Sequence, residues 1–232
     1  MKLNTFLAST IFSTTAKIGL TKPFKDDYSG TCPIVWSTPN FNLAQYIAEP
    51  WWTVAQSPFV FAQPSDVCVS GTYKESENYP GYLNVFNSWL SPPSGSQDAD
   101  YENWTRQGGE ENSGLAIPAT NNATLSVTFP YPRLPNPADG NYIVYATDND
   151  NYAFVFGCTQ VDESHYNPIF WLLNRNDNIS ADLVQEQIED AMEVMENDFG
   201  WSEAVQFFDS VYAVPVNGCP AIPDFTEAGI DE

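Results

Sequence analysis

Residues 141–158, NYIVYATDNDNYAFVFGC, constrain the fold more than any other stretch of the chain. Two runs rich in β-branched and aromatic residues, 142–147 and 152–158, flank a four-residue Asp/Asn turn at 148–151. Runs of that composition form strands, and such a turn joins them as an antiparallel hairpin. An isolated hairpin is marginal in water, so the rest of the chain has to supply further strands or something that closes the sheet. Cys158 ends the second strand, which makes the hairpin a candidate disulfide anchor.

Further strands are plentiful. Before the hairpin come 51–56, 68–74 (CVSGTYK), 82–90 (YLNVFNSWL), 101–119 and 123–129 (ATLSVTF); after it comes 168–175 (PIFWLLNR). Gly108, Gly109, Gly114 and Pro118 make 101–119 either one long, kinked strand or two short ones. Leu125, Val127 and Phe129 alternate cleanly onto one face of their strand. Residues 17–40 read as an extended arm, 42–46 as a short helical turn, and 57–66, 92–97 and 130–140 as loops.

After the eighth strand the period changes. In 181–199, Val184, Ile188, Ala191, Met192, Met195 and Phe199 share one face with acids opposite, the pattern of an amphipathic helix. Ser180 is placed to cap it, with Asp182 favourable in its first turn. The expected fold is all-β: an eight-stranded antiparallel up-and-down β-barrel over 41–220, with one C-terminal α-helix packed outside and an acidic tail at 221–232. A chain of 232 residues, 43% of them hydrophobic, suffices for one such cored domain.

Charge and cysteines bound the partners and the compartment. Eight basic against 30 acidic residues give −22, and Lys2, Lys17, Lys22 and Lys25 all precede the first acid. The remainder, with four basic and 30 acidic residues, stands at −26 and repels nucleic acid and anionic membranes. Residues 1–16, with one Lys and a modest apolar run, read as a signal or targeting peptide, either secretory or an organelle transit peptide. No stretch is long and apolar enough to predict a membrane span. Cys32, Cys68, Cys158 and Cys219 lack metal-ligand spacing and fit two long-range disulfides, in any of three pairings, formed in an oxidising compartment. Asn103, Asn122 and Asn178 stand in glycosylation sequons.

Catalytic chemistry is thin. The single histidine, His165, falls in a polar loop between strands and reads as solvated. No nucleophile elbow, phosphate loop or zinc spacing occurs. Asp148 and its neighbours form a turn rather than a calcium loop, because Tyr152 and Ala153 stand where further ligands and a glycine are needed. No cofactor and no metal are expected. Leu83, Val85, Asn87 and Trp89 share one face of the third strand. If that face points inward, Asn87 is a buried amide in want of a partner, which a ligand oxygen would supply.

Three segments resemble the lipocalin family, in the family's order and most like its apolipoprotein D and bacterial branch. They are 41–57 (FNLAQYIAEPWWTVAQS), 145–152 (YATDNDNY) and 170–176 (FWLLNRN). Glu49 stands where the family places a glycine two residues before the tryptophan. The resemblance implies structural roles for Trp51, Thr147, Asp148 and Arg175, with Arg175 packing on Trp51 to close the barrel floor. It implies disulfides Cys32–Cys158 and Cys68–Cys219, and it places Tyr73, Asn87 and Trp171 on the wall of a ligand pocket. Val85, Trp89, Leu125 and Val127 complete the expected lining.

The expectation is therefore a secreted or lumenal protein that binds and transports or stores a small hydrophobic ligand, such as a fatty acid, sterol, retinoid or carotenoid. An oligomer or a protein partner is compatible with it. The alternative is an enzyme on the same scaffold acting on an isoprenoid such as a carotenoid epoxide, with Asp100 and Glu102 as the acids to inspect. A structural or interaction subunit with a filled barrel is the third reading.

Overall fold

The computed structural model describes residues 28–58, 62–93, 101, 104–119, 121 and 123–226. The targeting segment 1–16, the arm as far as residue 27, Asp100, Glu102, Asn103, Asn122 and residues 227–232 lie outside these described residues. The strands are β1 (Tyr28–Ser29), β2 (Trp51–Gln56), β3 (Val67–Glu75), β4 (Leu83–Ser91), β5 (Thr105–Pro118), β6 (Thr124–Thr128), β7 (Tyr142–Thr147), β8 (Tyr152–Gln160), β9 (His165–Asn174) and β10 (Tyr212–Ala213). From β2 to β9 each strand pairs antiparallel with its successor. β9 then returns to β2, with Trp52 opposite Asn174 and Gln56 opposite Trp171, and the barrel closes on eight strands. The two-residue strands β1 and β10 extend the outer rims of β9 and β2.

The long fifth segment is one strand. Its kink falls at Gly108 and Gly109, whose φ angles are 76° and 73°. A Cβ on Gly108 would stand 2.2 Å from the Asn87 carbonyl oxygen, so only glycine lets β5 lie this close to β4 there. The register between β4 and β5 shifts at the same place, between Phe86 and Ser88. β9 starts earlier than the sequence implies. His165, expected in a loop, is its first residue.

Period-two alternation divides the apolar residues into two cores. Inside the barrel, Tyr46, Trp51, Tyr73, Leu83, Leu125, Val155 and Leu173 pack into a floor. Outside, Val54, Phe154, Phe156, Phe170 and Leu172 form a platform for the helix α2 (Ala181–Asn197). Val184, Ile188, Ala191 and Met195 recur at helical spacing and are the buried residues of α2. The Ser180 hydroxyl accepts from the Leu183 N–H at 3.2 Å. The helix ends at Asn197, two residues short of the expected end, and Gly200 (φ 66°) turns the chain.

A second short helix, α3 (Ala204–Phe208), follows that no periodicity announced. It buries Phe207 and Phe208, the latter 4.9 Å from Phe170. Cys32–Cys158 ties the arm to β8, and Cys68–Cys219 ties β3 to the C-terminal segment. That segment is docked as far as Thr226. Phe225 stacks on Phe86 at 5.7 Å, Lys74 pairs with Asp224, and the Thr226 hydroxyl donates to Glu110 at 2.8 Å.

Removing the cap tests how far α2 depends on it. Ser180→Ala should lower the unfolding free energy by about 1 kcal/mol, read as a shift in the urea midpoint with unchanged slope.

Candidate functional site

The closed end of the barrel is assembled by backbone groups meeting a few polar side chains. The short helix α1 (Leu43–Ile47) is capped by Asn42, whose side-chain oxygen accepts from the Gln45 N–H at 3.2 Å. The hairpin turn docks onto this helix. Asn149, in left-handed backbone at φ 68°, accepts from the Asn42 N–H at 2.8 Å and donates to the Asn40 carbonyl at 3.0 Å. Thr147 Oγ1 accepts from the Asn149 N–H at 2.9 Å. One Asp148 oxygen accepts from the N–H groups of Asp150, Asn151 and Tyr152 at 3.1, 2.7 and 3.1 Å, and the other from the Asn151 amide at 2.7 Å. Partial burial pushes the Asp148 pKa up, but these hydrogen bonds outweigh it and hold the carboxylate below its ordinary value.

Arg175 locks this end. Its guanidinium carbon lies 3.5 Å over the centre of the Trp51 ring. Its N–H groups donate to the carbonyls of Glu49, Pro50 (2.9 Å), Gln45 (3.1 Å) and Tyr46 (2.8 Å). The Trp51 indole N–H donates to the same Tyr46 carbonyl at 2.9 Å. Burial draws the guanidinium pKa down, yet the group stays charged. Glu49 takes part through its carbonyl, which any residue type supplies, so the missing family glycine does not undo the lock.

Above the tryptophan sits a cluster of three buried tyrosines. Tyr46 is 5.1 Å from Trp51 and 5.5 Å from Tyr73, ring centre to ring centre. The Tyr142 hydroxyl bonds to those of Tyr46 and Tyr73, each at 2.7 Å. Burial pushes all three phenols above their ordinary pKa, so they are neutral hydroxyls at physiological pH.

Over this floor opens a cavity of about 230 Å³. An apolar cavity of about 150 Å³ already holds a benzene ring. Tyr73, Val85, Asn87, Val127 and Trp171 line it. Two other residues expected on the wall lie elsewhere. Leu125 is fully buried in the floor beneath the cavity. Trp89 is not among the lining residues and packs against Ala62, Val69, Tyr212 and Val214. Thr53, Phe129, Tyr142, Ile169 and Leu173 also line the cavity and were missed. Ile169 and Leu173 stand two residues either side of Trp171, and Phe129 two beyond Val127, so alternation alone would have found them. No such signal marks Tyr142. No charged side chain is among the described lining residues.

His165 stands apart from the cavity. Its Nδ1 is 3.1 Å from Asp162 and 3.0 Å from the Ser164 hydroxyl, so it closes a surface turn. Bonds from Ser164, then from His165, bring the Asp162 pKa down to about 2.

Comparison with known proteins bears on this geometry. The model of the Lipocalin / cytosolic fatty-acid binding protein family matches residues 102–196. Apolipoprotein D of Mus musculus is 29% identical over 164 residues, 71% of this chain and 76% of that protein. Lazarillo protein of Schistocerca americana is 29% identical over 160 residues, 68% of this chain and 66% of that one. The chain is thus similar in sequence to lipocalins. The fold agrees: insecticyanin from the tobacco hornworm Manduca sexta superimposes with a TM-score of 0.57 at 18% identity, over 82% of this chain and 92% of that one. Lobster apocrustacyanin A1 does so with a TM-score of 0.53 at 15% identity, over 85% and 94%.

Two outcomes test the closed end of this barrel. Arg175→Ala takes one donor from each of four carbonyls, of which Gln45 and Tyr46 keep another, and bares Trp51; it should cost roughly 3 kcal/mol in urea unfolding. Arg175→Lys, which keeps the charge but not the planar fork, should cost less. The Asp148 contribution should be present above the unfolded carboxylate pKa of about 3.9 and vanish as pH falls through the lower folded value. Asp148→Asn should therefore narrow the gap between urea midpoints measured at pH 6 and pH 3.

Proposed function

We propose that the chain is a lipocalin that binds a small hydrophobic molecule inside the barrel, for transport or storage. The observation that carries the reading is the cavity over a packed floor, walled by aromatic and branched side chains with a few polar groups and no charge. Apolar burial at roughly 25 cal/mol per Å² supplies the affinity. The Asn87 amide, which has no side-chain partner among the described residues, supplies orientation. Trp171, 5.7 Å from Tyr142, forms one aromatic wall, and Tyr73, Val85 and Val127 form others. Lipids of the fatty acid, sterol, retinoid or carotenoid kind fit that description, and fatty-acid binding is part of the family's own description.

The protein works in an oxidising compartment, outside the cell or in an organelle lumen. Two disulfides support this reading. Among the described residues no helix is long and apolar enough to cross a membrane. Asn178, exposed in the turn before α2, is the described sequon able to carry a glycan.

Gly71 provides the test. A Cβ there would point between Asn87 and Tyr73 at ordinary contact distances of 3.5 and 3.8 Å, and the backbone is not in a glycine-only region. Gly71→Val should thus fill the cavity without breaking the fold. Wild-type protein should bind an apolar fluorescent probe and release it to competing lipids. The variant should bind at least tenfold more weakly while its stability stays within about 1 kcal/mol. Failure of the folded wild-type protein to bind any apolar ligand would sink the proposal.

A further inference from the structure

The tyrosine cluster leaves one proton to account for. Its three hydroxyls are joined by two hydrogen bonds of 2.7 Å, Tyr46 to Tyr142 and Tyr142 to Tyr73. These bonds use two of the three O–H groups, and the third is shared between the Tyr46–Tyr73 contact, which also couples these two phenols, and any acceptor in the cavity. Tyr73 and Tyr142 face the cavity, whereas Tyr46 is not on its wall. A donor this deep is costly to leave without an acceptor.

A second polar group converges on the same spot. The point where a Cβ on Gly71 would sit is 3.5 Å from the Asn87 side-chain oxygen and 3.8 Å from the Tyr73 hydroxyl. The glycine therefore opens a gap flanked by an amide and a phenol. A ligand oxygen placed there can accept from the tyrosine pair, and a ligand hydroxyl can also donate to Asn87.

Charge decides which kind of oxygen is taken. Among the described residues the cavity wall carries no Lys, Arg or His. The cation beneath it, Arg175, gives its N–H groups to four carbonyls and its face to Trp51. The whole chain stands at −22. A carboxylate at this depth would lose its water with no free cation in exchange, whereas a neutral oxygen needs only a donor.

The geometry points to a neutral, oxygen-terminated apolar ligand, a ketone, aldehyde, ester or alcohol, inserted oxygen first so that Tyr73 or Tyr142 donates to it beside Asn87. This assignment rests on the binding function proposed above and narrows its ligand class: a carboxylate and a bare hydrocarbon are the poorer guests.

The test is a ladder of ligands of one chain length that differ only at the terminus: alkane, methyl ketone, primary alcohol and carboxylate. Each competes with an apolar fluorescent probe at pH 7.5. Ketone and alcohol should bind about three- to tenfold more tightly than the alkane, the span expected of one net hydrogen bond. The carboxylate should bind more weakly than the ketone and gain affinity as pH falls towards its own pKa. Tyr73→Phe/Tyr142→Phe, which removes both hydroxyls from the wall, should abolish the ketone's advantage over the alkane, and Tyr46→Phe should keep it. The infrared carbonyl band of the ketone bound to wild-type protein should lie below its position in a hydrocarbon solvent, a readout that needs no variant to fold. Equal binding of ketone and alkane, as expected if the three hydroxyls close a ring that serves only themselves, would overturn the assignment. So would tighter binding of the carboxylate, an unshifted carbonyl band, or a ketone preference that survives the double variant. If no member of the ladder binds, the binding function itself fails.

Discussion

The return of β9 to β2 is the contact on which the other features depend. An antiparallel sheet of eight strands has two rims of unpaired N–H and C=O groups until its last strand meets its first. β9 has to pair on both sides at once, with β8 and with β2, and it also has to be apolar on both faces. Trp171 and Leu173 point into the barrel, while Phe170 and Leu172 point out to the helices. The residue after the strand is Arg175, which locks the floor. One short run of chain thus closes the sheet, walls the cavity, seats α2 and α3 and seals the bottom.

Three of the scarce cations tie parts of the frame together. Arg175 collects four carbonyls at the floor, Arg106 donates to the Ser88 hydroxyl across β4 and β5, and Lys74 holds the C-terminal segment through Asp224. The acids of α2 lie on its solvent side, opposite Val184, Ile188, Ala191 and Met195. A strongly acidic chain therefore keeps a cavity free of charge by sending acids outward and spending its few cations on the frame.

How much of this was legible in the sequence depended on whether a feature was periodic. Eight strand-like runs and one helical run carry periods of 2 and 3.6, and they gave the barrel and α2 to within a few residues. The hairpin turn was legible because Asp and Asn side chains bond locally to their own backbone. What failed was local and aperiodic. Between Gly108 and Ser113 β5 advances five residues where β4 advances two, and extra residues of that kind leave no trace in alternation. Tyr46, Tyr73 and Tyr142 sit far apart in sequence and on three different elements, so their meeting depends on the closed barrel and not on any local pattern. Helix α3 is too short for its period to rise above that of the loop around it.

The two disulfides join unlike partners. Each links a barrel strand to a segment outside the eight-strand ring, Cys158 to the arm and Cys68 to the stretch after β10. Neither spans two barrel strands. The hydrogen-bonded ladders alone therefore bring the strands into register, and the covalent bonds only fix flanking chain to a surface already formed. In folding terms the barrel can close while all four thiols are still reduced, and oxidation becomes a late step that fastens the ends rather than one that selects the topology.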